Sequence, residues 1–161
     1  MADVRGKMTK IVRFLTVIVV LLLSPGVVVA CSPGNAAPVV SKLTDSEVRV
    51  FADPIAENLL QAMNTANYTQ YTCNFDEAFL KNLSPDTFEA LNSRRIETVG
   101  NYVSKEYWRM VQKNDKITVA YQVTFTGDST VIFTIYFKSI DGKWCVDGVY
   151  YDSALLRKSG C

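Results

Sequence analysis

Residues 117–138 read ITVAYQVTFTGDSTVIFTIYFK, and this stretch decides the fold class. On both sides of Gly127-Asp128, apolar residues alternate with small or polar ones. The apolar phase holds Ile117, Val119, Tyr121, Val123 and Phe125 before the turn, and Val131, Phe133, Ile135 and Phe137 after it. A period of two with one apolar face is typical of antiparallel strands that are covered on one side. Tyr136 lies on the opposite phase, which predicts an exposed position.

Two further strands flank this pair. Residues 102–113 are rich in aromatic side chains and predict a strand before it. Asp141-Gly142 is a strong signal for a two-residue hairpin, and residues 143–151 after it predict a last strand. The second half of the chain is therefore expected to form a four-stranded meander.

The residues before position 101 have helical spacing instead. Thr44-Asp45-Ser46-Glu47 matches a capping box, and an apolar stripe follows it to about Asn64, interrupted by Pro54. We expect a kink there, or two short helices. The stripe consists of Ile55, Leu59, Ala62 and Met63.

Two more helices are predicted before the strands. Residues 74–83 carry Phe75, Ala78, Phe79 and Leu83 on one face and predict a short helix. Ser84-Pro85 is typical of a helix start, and Gly100 fits the position just past a helix end. The stripe between them is Phe88, Leu91, Ile96 and Val99. Helices followed by a meander predict an α+β domain with the helices on one face of the sheet.

Residues 1–30 have the layout of a secretory signal. Four basic residues precede an apolar run of ten residues, 14–23, and a Ser24-Pro25-Gly26 break follows. A membrane-spanning helix needs about 20 apolar residues, so a signal peptide fits this run better.

Val28-Val29-Ala30-Cys31 resembles the lipobox of prokaryotic lipoproteins. The resemblance implies that Cys31 receives a diacylglyceryl group and becomes the new N-terminus, which anchors the protein to the membrane outside the cytoplasm. Two alternatives remain: residues 11–30 stay as an uncleaved anchor, or an ordinary signal peptidase cuts after Ala30. Both alternatives also place the domain outside.

The predicted organisation has four parts. A signal peptide (1–30) precedes a lipidated tether (31–43), an α+β domain (44–152) and a C-terminal tail (153–161). Two prolines and a glycine in residues 32–42 disfavour helix and favour a flexible tether.

Charge and cysteine content exclude several classes of function. The chain has 17 basic and 16 acidic residues, and four of the basic and one of the acidic lie in residues 1–30, so the remainder carries 13 and 15 and a net charge of −2. This balance argues against nucleic-acid binding. With no histidine and no Cys-x-x-Cys pair, we expect no metal site, and no cofactor. Cys73, Cys145 and Cys161 leave three possible disulfide pairings open, or none.

The order of elements, with tyrosines after the first helix, Asp76 and Phe79 in the second and Gly100 before the strands, resembles a nuclear-transport-factor-2-like or cystatin-like domain. Within that superfamily it is similar to the lipoprotein family of unknown function numbered 3887, over about residues 52–151. The resemblance implies that the four-stranded sheet is curved around the first helix and often leaves a pocket at one end.

Catalytic members of that superfamily place an aspartate with a tyrosine or a histidine in the pocket. The candidates here are Tyr68, Tyr71, Asp76 and Tyr107. The absence of histidine removes the side chain best suited to proton transfer near neutral pH. Asp76 also suits the first turn of a short helix, where acidic groups favour the helix dipole. We therefore expect a non-enzymatic protein with no catalytic residues.

The predicted function is that of a cell-envelope lipoprotein whose domain binds a small ligand or another envelope protein. The first alternative is a pocket isomerase or dehydratase. The second is a structural module that forms a homodimer through an exposed aromatic sheet face. Because unrelated activities share this fold, the fold does not choose among them.

Overall fold

Four antiparallel strands in chain order form one sheet, β1-β2-β3-β4, after a run of four helices. The computed structural model describes residues 41–159; the predicted signal peptide, Cys31, most of the tether and Cys161 lie outside this range. The helices are α1 (Asp45–Asn64), α2 (Tyr68–Thr72), α3 (Glu77–Leu80), α4 (Pro85–Val99) and α5 (Ala154–Ser159). The strands are β1 (Tyr102–Lys113), β2 (Lys116–Phe125), β3 (Val131–Ile140) and β4 (Lys143–Asp152). The predicted α+β fold class and meander are confirmed.

The turn between β3 and β4 has the predicted hairpin chemistry. Asp141 and Gly142 have φ values of 50° and 77°, and both lie in the left-handed region that a two-residue type I′ turn requires. Register shifts interrupt β1–β2 pairing twice and β3–β4 pairing once. Such bulges bend and twist a sheet, which produces the curved face on which the helices pack.

The inner face of the sheet forms the core with α1. Every residue of the predicted apolar phases of β2 and β3 is at most 2% exposed. The ring of Phe51 in α1 meets Phe137 edge-on at 5.3 Å and stacks on Trp144 at 5.7 Å. Tyr136, on the opposite phase, is 42% exposed as predicted.

Helix α1 is one helix of 20 residues that passes through Pro54. The capping box is present: Thr44 Oγ1 accepts from the Glu47 amide, and Glu47 accepts from the Thr44 amide. Proline cannot donate to the carbonyl of Val50, but Val50 is exposed, so water can replace the missing hydrogen bond. Of the two predicted alternatives, division into two helices is therefore wrong, and a kink at Pro54 stays a prediction.

Three local predictions also differ from the structure. Only residues 77–80 of the predicted helix over 74–83 are helical, because Phe75 forms an isolated parallel β-bridge with Val146. The predicted C-terminal tail contains α5, whose Leu156 is 3% exposed against the core. At the end of the predicted tether, the Leu43 amide donates to Gln112 Oε1 of β1 at 2.8 Å, so residues 41–43 contact the domain.

Candidate functional site

A cavity of about 410 Å³ lies among α4, α5, β4 and the α2–α3 segment. Its volume is within the range of small-molecule pockets. The apolar lining includes Phe79, Leu83, Phe88, Leu91, Val149 and Leu156. The polar lining comprises Tyr71, Asn92, Arg94, Arg95, Tyr150 and Tyr151. Leu91, Arg94 and Tyr150 are exposed, so the cavity meets solvent at these three side chains.

Helix α4 buries a face that differs from the predicted stripe. Its buried residues are Phe88, Asn92, Arg95 and Val99, at helical spacing, whereas Leu91 is 59% exposed. Asn92 and Arg95 therefore occupy core positions. A search for regularly spaced apolar residues cannot find them, because both side chains are polar. The available signal was that Asn92 and Arg95 share the helical face of Phe88 and Val99.

Arg95 is held at the cavity wall by backbone and amide oxygens. Its Nη1 donates to the Gly100 carbonyl at 2.7 Å, while Nε and Nη2 donate to Asn92 Oδ1 at 3.3 and 3.1 Å. Its guanidinium also lies over the Phe125 ring at 5.2 Å. Asn92 Nδ2 in turn donates to the Met63 carbonyl at 2.8 Å, which fixes α4 against the end of α1. Burial lowers the pKa of Arg95, and interactions with Tyr151 and Tyr71 oppose this shift.

Two tyrosine hydroxyls face the same region. Burial raises the pKa of Tyr71 and of Tyr151 well above the ordinary value, so both remain protonated donors at neutral pH. Tyr151 Oη donates to Met63 Sδ at 2.7 Å. A thioether is a weak acceptor, and this hydroxyl can therefore donate to a stronger acceptor that enters the cavity.

Helix α5 closes one side of the cavity. Its first turn is capped by Ser153, whose Oγ accepts from the Leu156 amide at 3.1 Å. Arg94 of α4 donates to the Ser159 carbonyl at the other end of the helix. Residues 153–159 thus complete a wall that the sequence did not predict.

Of the four predicted pocket residues, only Tyr71 lines the cavity. Tyr68 Oη donates to the Leu83 carbonyl at 2.7 Å. Asp76 caps α3 by accepting from the Ala78 amide at 3.1 Å. Tyr107 lies at β1, where its hydroxyl donates to Asp45 Oδ2 at 2.8 Å. The structure does not bring Asp76 and a tyrosine together in the cavity.

The two cysteines inside the described range, Cys73 and Cys145, are not bonded to each other. Cys73 Sγ lies 3.3 Å from Asn58 Nδ2 and 3.1 Å from Asn74 Nδ2. The predicted disulfide stays a prediction, because its possible partner Cys161 is outside the described residues.

A second polar cluster lies where α1 meets β1. Glu57 Oε2 accepts from Tyr102 Oη at 2.8 Å and lies 3.3 Å from Lys105 Nζ. Partial burial by itself would raise the pKa of Glu57, but hydrogen bonds from Gln61, Tyr102 and Lys105 and the lysine charge outweigh it and lower the pKa. All charges of this cluster are paired, and none of its residues lines the cavity.

As pH falls, the free energy of unfolding should decrease less in the Glu57→Gln variant than in the wild type. A lowered folded-state pKa stabilises the protein above the unfolded pKa of about 4.5, and this contribution is lost as pH falls through the folded value. The difference in free energy of unfolding between wild type and variant should therefore shrink between about pH 6 and pH 3 in urea titrations. Glu97→Gln, at an exposed glutamate, controls for the loss of a carboxylate. A difference that grows toward low pH would contradict the assignment.

This part of the chain, residues 41–159, contains no group of three or more His, Cys, Asp or Glu side chains placed to hold a metal ion. None of its helices is long and apolar enough to cross a membrane.

Comparison with solved structures finds similar chains at low identity. A chain named Rd1NTF2_05, which carries five substitutions, is 12% identical; the match covers 67% of this chain and all of the other, with a TM-score of 0.44. A de novo designed protein with a curved β-sheet is 10% identical, with 63% and 99% coverage and a TM-score of 0.39. A SnoaL-like protein of unknown function from Burkholderia thailandensis is 11% identical, with 70% and 100% coverage and a TM-score of 0.40. These values carry no argument about ligand or activity.

No protein with a curated description matches this chain. The model of one family does match, over residues 56–142, which runs from the middle of α1 to the β3–β4 turn. This range is more than half of the chain and lies within the region of predicted resemblance. The chain therefore belongs to the family described as protein of unknown function (DUF3887).

Proposed function

We propose that the domain is a non-enzymatic binding module of the cell envelope whose cavity accepts a small, largely apolar molecule. The observation that carries this proposal is the cavity itself. It has a volume of about 410 Å³ and an aromatic and aliphatic lining, with polar groups at its inner wall and at its mouth. Small-molecule sites have this composition, in which apolar surface supplies affinity and few polar groups set orientation.

The cavity lining favours binding over the alternative of a pocket isomerase or dehydratase. Such an enzyme needs a base with a pKa near the working pH. The titratable groups that line this cavity are tyrosines and arginines, and burial raises the pKa of Tyr71 and Tyr151. Asp76, the predicted partner of a tyrosine, caps α3 instead.

Blocking the cavity mouth should weaken binding. The Leu91→Trp variant places a larger ring at an exposed lining position of α4, and we expect its affinity for decanol to fall at least about tenfold. Isothermal titration calorimetry of the full chain in lipid nanodiscs, with empty discs as the blank, measures this change. Val50→Trp is the matched control, because Val50 is an exposed aliphatic residue on α1 away from the cavity. Equal losses in both variants, or failure of the wild type to bind decanol and also its charged analogues decanoate and decylamine, would refute the proposal.

We also propose that the module is tethered to the membrane through a lipid on Cys31. The support is the Val28-Val29-Ala30-Cys31 motif at the end of a signal-like segment. Intact mass spectrometry of the protein from its native membrane should show a chain that starts at Cys31 with a lipid-sized mass increment. In a Cys31→Ala variant, this species should disappear from the membrane fraction. A wild-type chain that retains residues 1–30, or that lacks the lipid, would contradict the anchor.

A structural homodimer is the second candidate, and exposed apolar side chains on the sheet favour it. Val103, Trp108 and Val111 of β1 are each more than half exposed, and Tyr150 of β4 is 53% exposed. Three of these four side chains belong to the edge strand β1, and exposed apolar surface on an edge strand can mark an interaction site. Sedimentation velocity of wild type and Trp108→Lys distinguishes this candidate, because only a sheet-mediated dimer would dissociate in the variant.

A further inference from the structure

The inner wall of the cavity contains a buried positive charge, on Arg95. Arg95 is 5% exposed and lines the cavity together with Asn92. A buried cation is costly unless an anion pairs with it, and fully buried arginines in proteins are normally paired. The partners of this arginine decide whether the protein supplies that anion.

The described residues supply Arg95 with no carboxylate. Its three hydrogen bonds go to the Gly100 carbonyl and to Asn92 Oδ1, which are both neutral. The four ion pairs found in residues 41–159 involve other cations: Arg49, Lys105, Lys116 and Arg157. The charge on Arg95 is thus solvated by dipoles within this part of the chain and is not neutralised.

Arg95 also has donors to spare. A guanidinium has five N–H groups, and three hydrogen bonds leave one on each of Nη1 and Nη2 without an acceptor among the described residues. Two donors on the terminal nitrogens suit the two oxygens of a planar carboxylate. Tyr151 Oη, which donates to the Met63 thioether and also interacts with the Tyr71 hydroxyl, adds a further donor at the same wall.

We infer that the cavity binds a small amphipathic monoanion, with its carboxylate on Arg95 and its apolar body among the aromatic and aliphatic side chains of the lining. This inference rests on the proposed binding function. One buried cation matches one negative charge, which favours a carboxylate over a phosphate dianion. Arg94, the other cation of the lining, is exposed at the mouth and donates to the Ser159 carbonyl.

Three ligands with the same apolar body test this inference: decanoate, decanol and decylamine. In calorimetry at neutral pH on the full chain in nanodiscs, decanoate should bind at least about tenfold tighter than decanol, because its hydrogen bonds to the guanidinium are charge-assisted. Decylamine should bind more weakly than decanol, because its charge repels Arg95. Equal affinities for decanoate and decanol, or tighter binding of decylamine, would overturn the inference and leave the binding function standing. Failure of all three to bind would overturn the binding function itself.

Variants assign the effect to Arg95. Arg95→Met should bring decanoate to within about twofold of decanol while decanol binding persists, and Arg94→Met should keep most of the preference. Loss of the preference in Arg94→Met alone would refute the role of Arg95. If circular dichroism shows that Arg95→Met is unfolded, Arg95→Lys replaces it. Its ammonium cannot bind bidentately, so the preference should shrink without vanishing. An unchanged preference in Arg95→Lys would exclude the bidentate arrangement.

Discussion

Replacing Gly100 by alanine should destabilise the protein by about 3 kcal/mol or more. Gly100 ends α4 with φ 82° and ψ −161°, a region that is essentially restricted to glycine. A Cβ at this position would lie 2.0 Å from Thr126 Oγ1 and 3.1 Å from the Gly127 amide nitrogen. Thr126 cannot turn away without loss, since its Oγ1 accepts from the Asn101 amide at 3.0 Å. Urea unfolding of wild type and variant measures the difference.

Gly142→Ala separates backbone strain from steric overlap. Gly142 also has a positive φ, 77°, but no atom lies within 4 Å of its added Cβ. We expect this variant to lose only about 1 kcal/mol, the lower end of the cost of such a backbone conformation. Equal losses in both variants would show that the contact with Thr126 contributes nothing. Because Arg95 Nη1 donates to the Gly100 carbonyl, Gly100→Ala should also weaken the decanoate preference.

Truncating Phe137 to alanine should cost about 3–5 kcal/mol of unfolding free energy, the range for large aromatic side chains in a core. Phe137 of β3 is fully buried, and its ring meets Phe51 of α1 edge-on at 5.3 Å. The variant therefore loses apolar burial and leaves a cavity between the sheet and α1. A drop in the urea midpoint without a change in slope would show that stability alone has changed.

Tyr136→Ala is the matched control on the same strand. Tyr136 precedes Phe137 but lies on the other face, 42% exposed, so its truncation should cost less than about 1 kcal/mol. The comparison holds strand and position nearly constant and varies only the face of the sheet. A loss in Tyr136→Ala as large as that in Phe137→Ala would mean that the outer face is covered in solution, as the homodimer candidate requires.

The alternation around Gly127 contained most of the information about the sheet. A one-residue shift in strand register would turn Ile117, Val119, Tyr121, Val123 and Phe125 from the buried inner face to the outer face, so the pattern admits one solution. The cap at Thr44 and the start at Ser84-Pro85 are equally local and were predicted. The short helix α3 was predicted too, but its start was not, because the bridge from Phe75 to Val146 joins residues far apart in the sequence.

Most residues of the candidate site could not be predicted from the sequence. Tyr71 was predicted as a pocket residue and lines the cavity, but Tyr68, Asp76 and Tyr107 bond elsewhere. Arg95 was overlooked because an arginine on a helix is ordinarily exposed. Its burial depends on tertiary contacts: its guanidinium lies over the Phe125 ring of β2, and α5 packs on α4 and contributes Leu156 to the cavity.

The sequence by itself determined the elements whose causes are local: strand alternation, helix caps, the Asp141-Gly142 turn and thereby the α+β meander. The tertiary structure alone decided which face of α4 is buried and where residues 154–159 pack. It also decided that the cavity between them contains a guanidinium with no carboxylate partner among residues 41–159. The physical reason is the distance along the chain between the residues that interact. Periodicity and capping depend on residues within a few positions, whereas a cavity and the charge balance of its wall depend on side chains that only folding brings together.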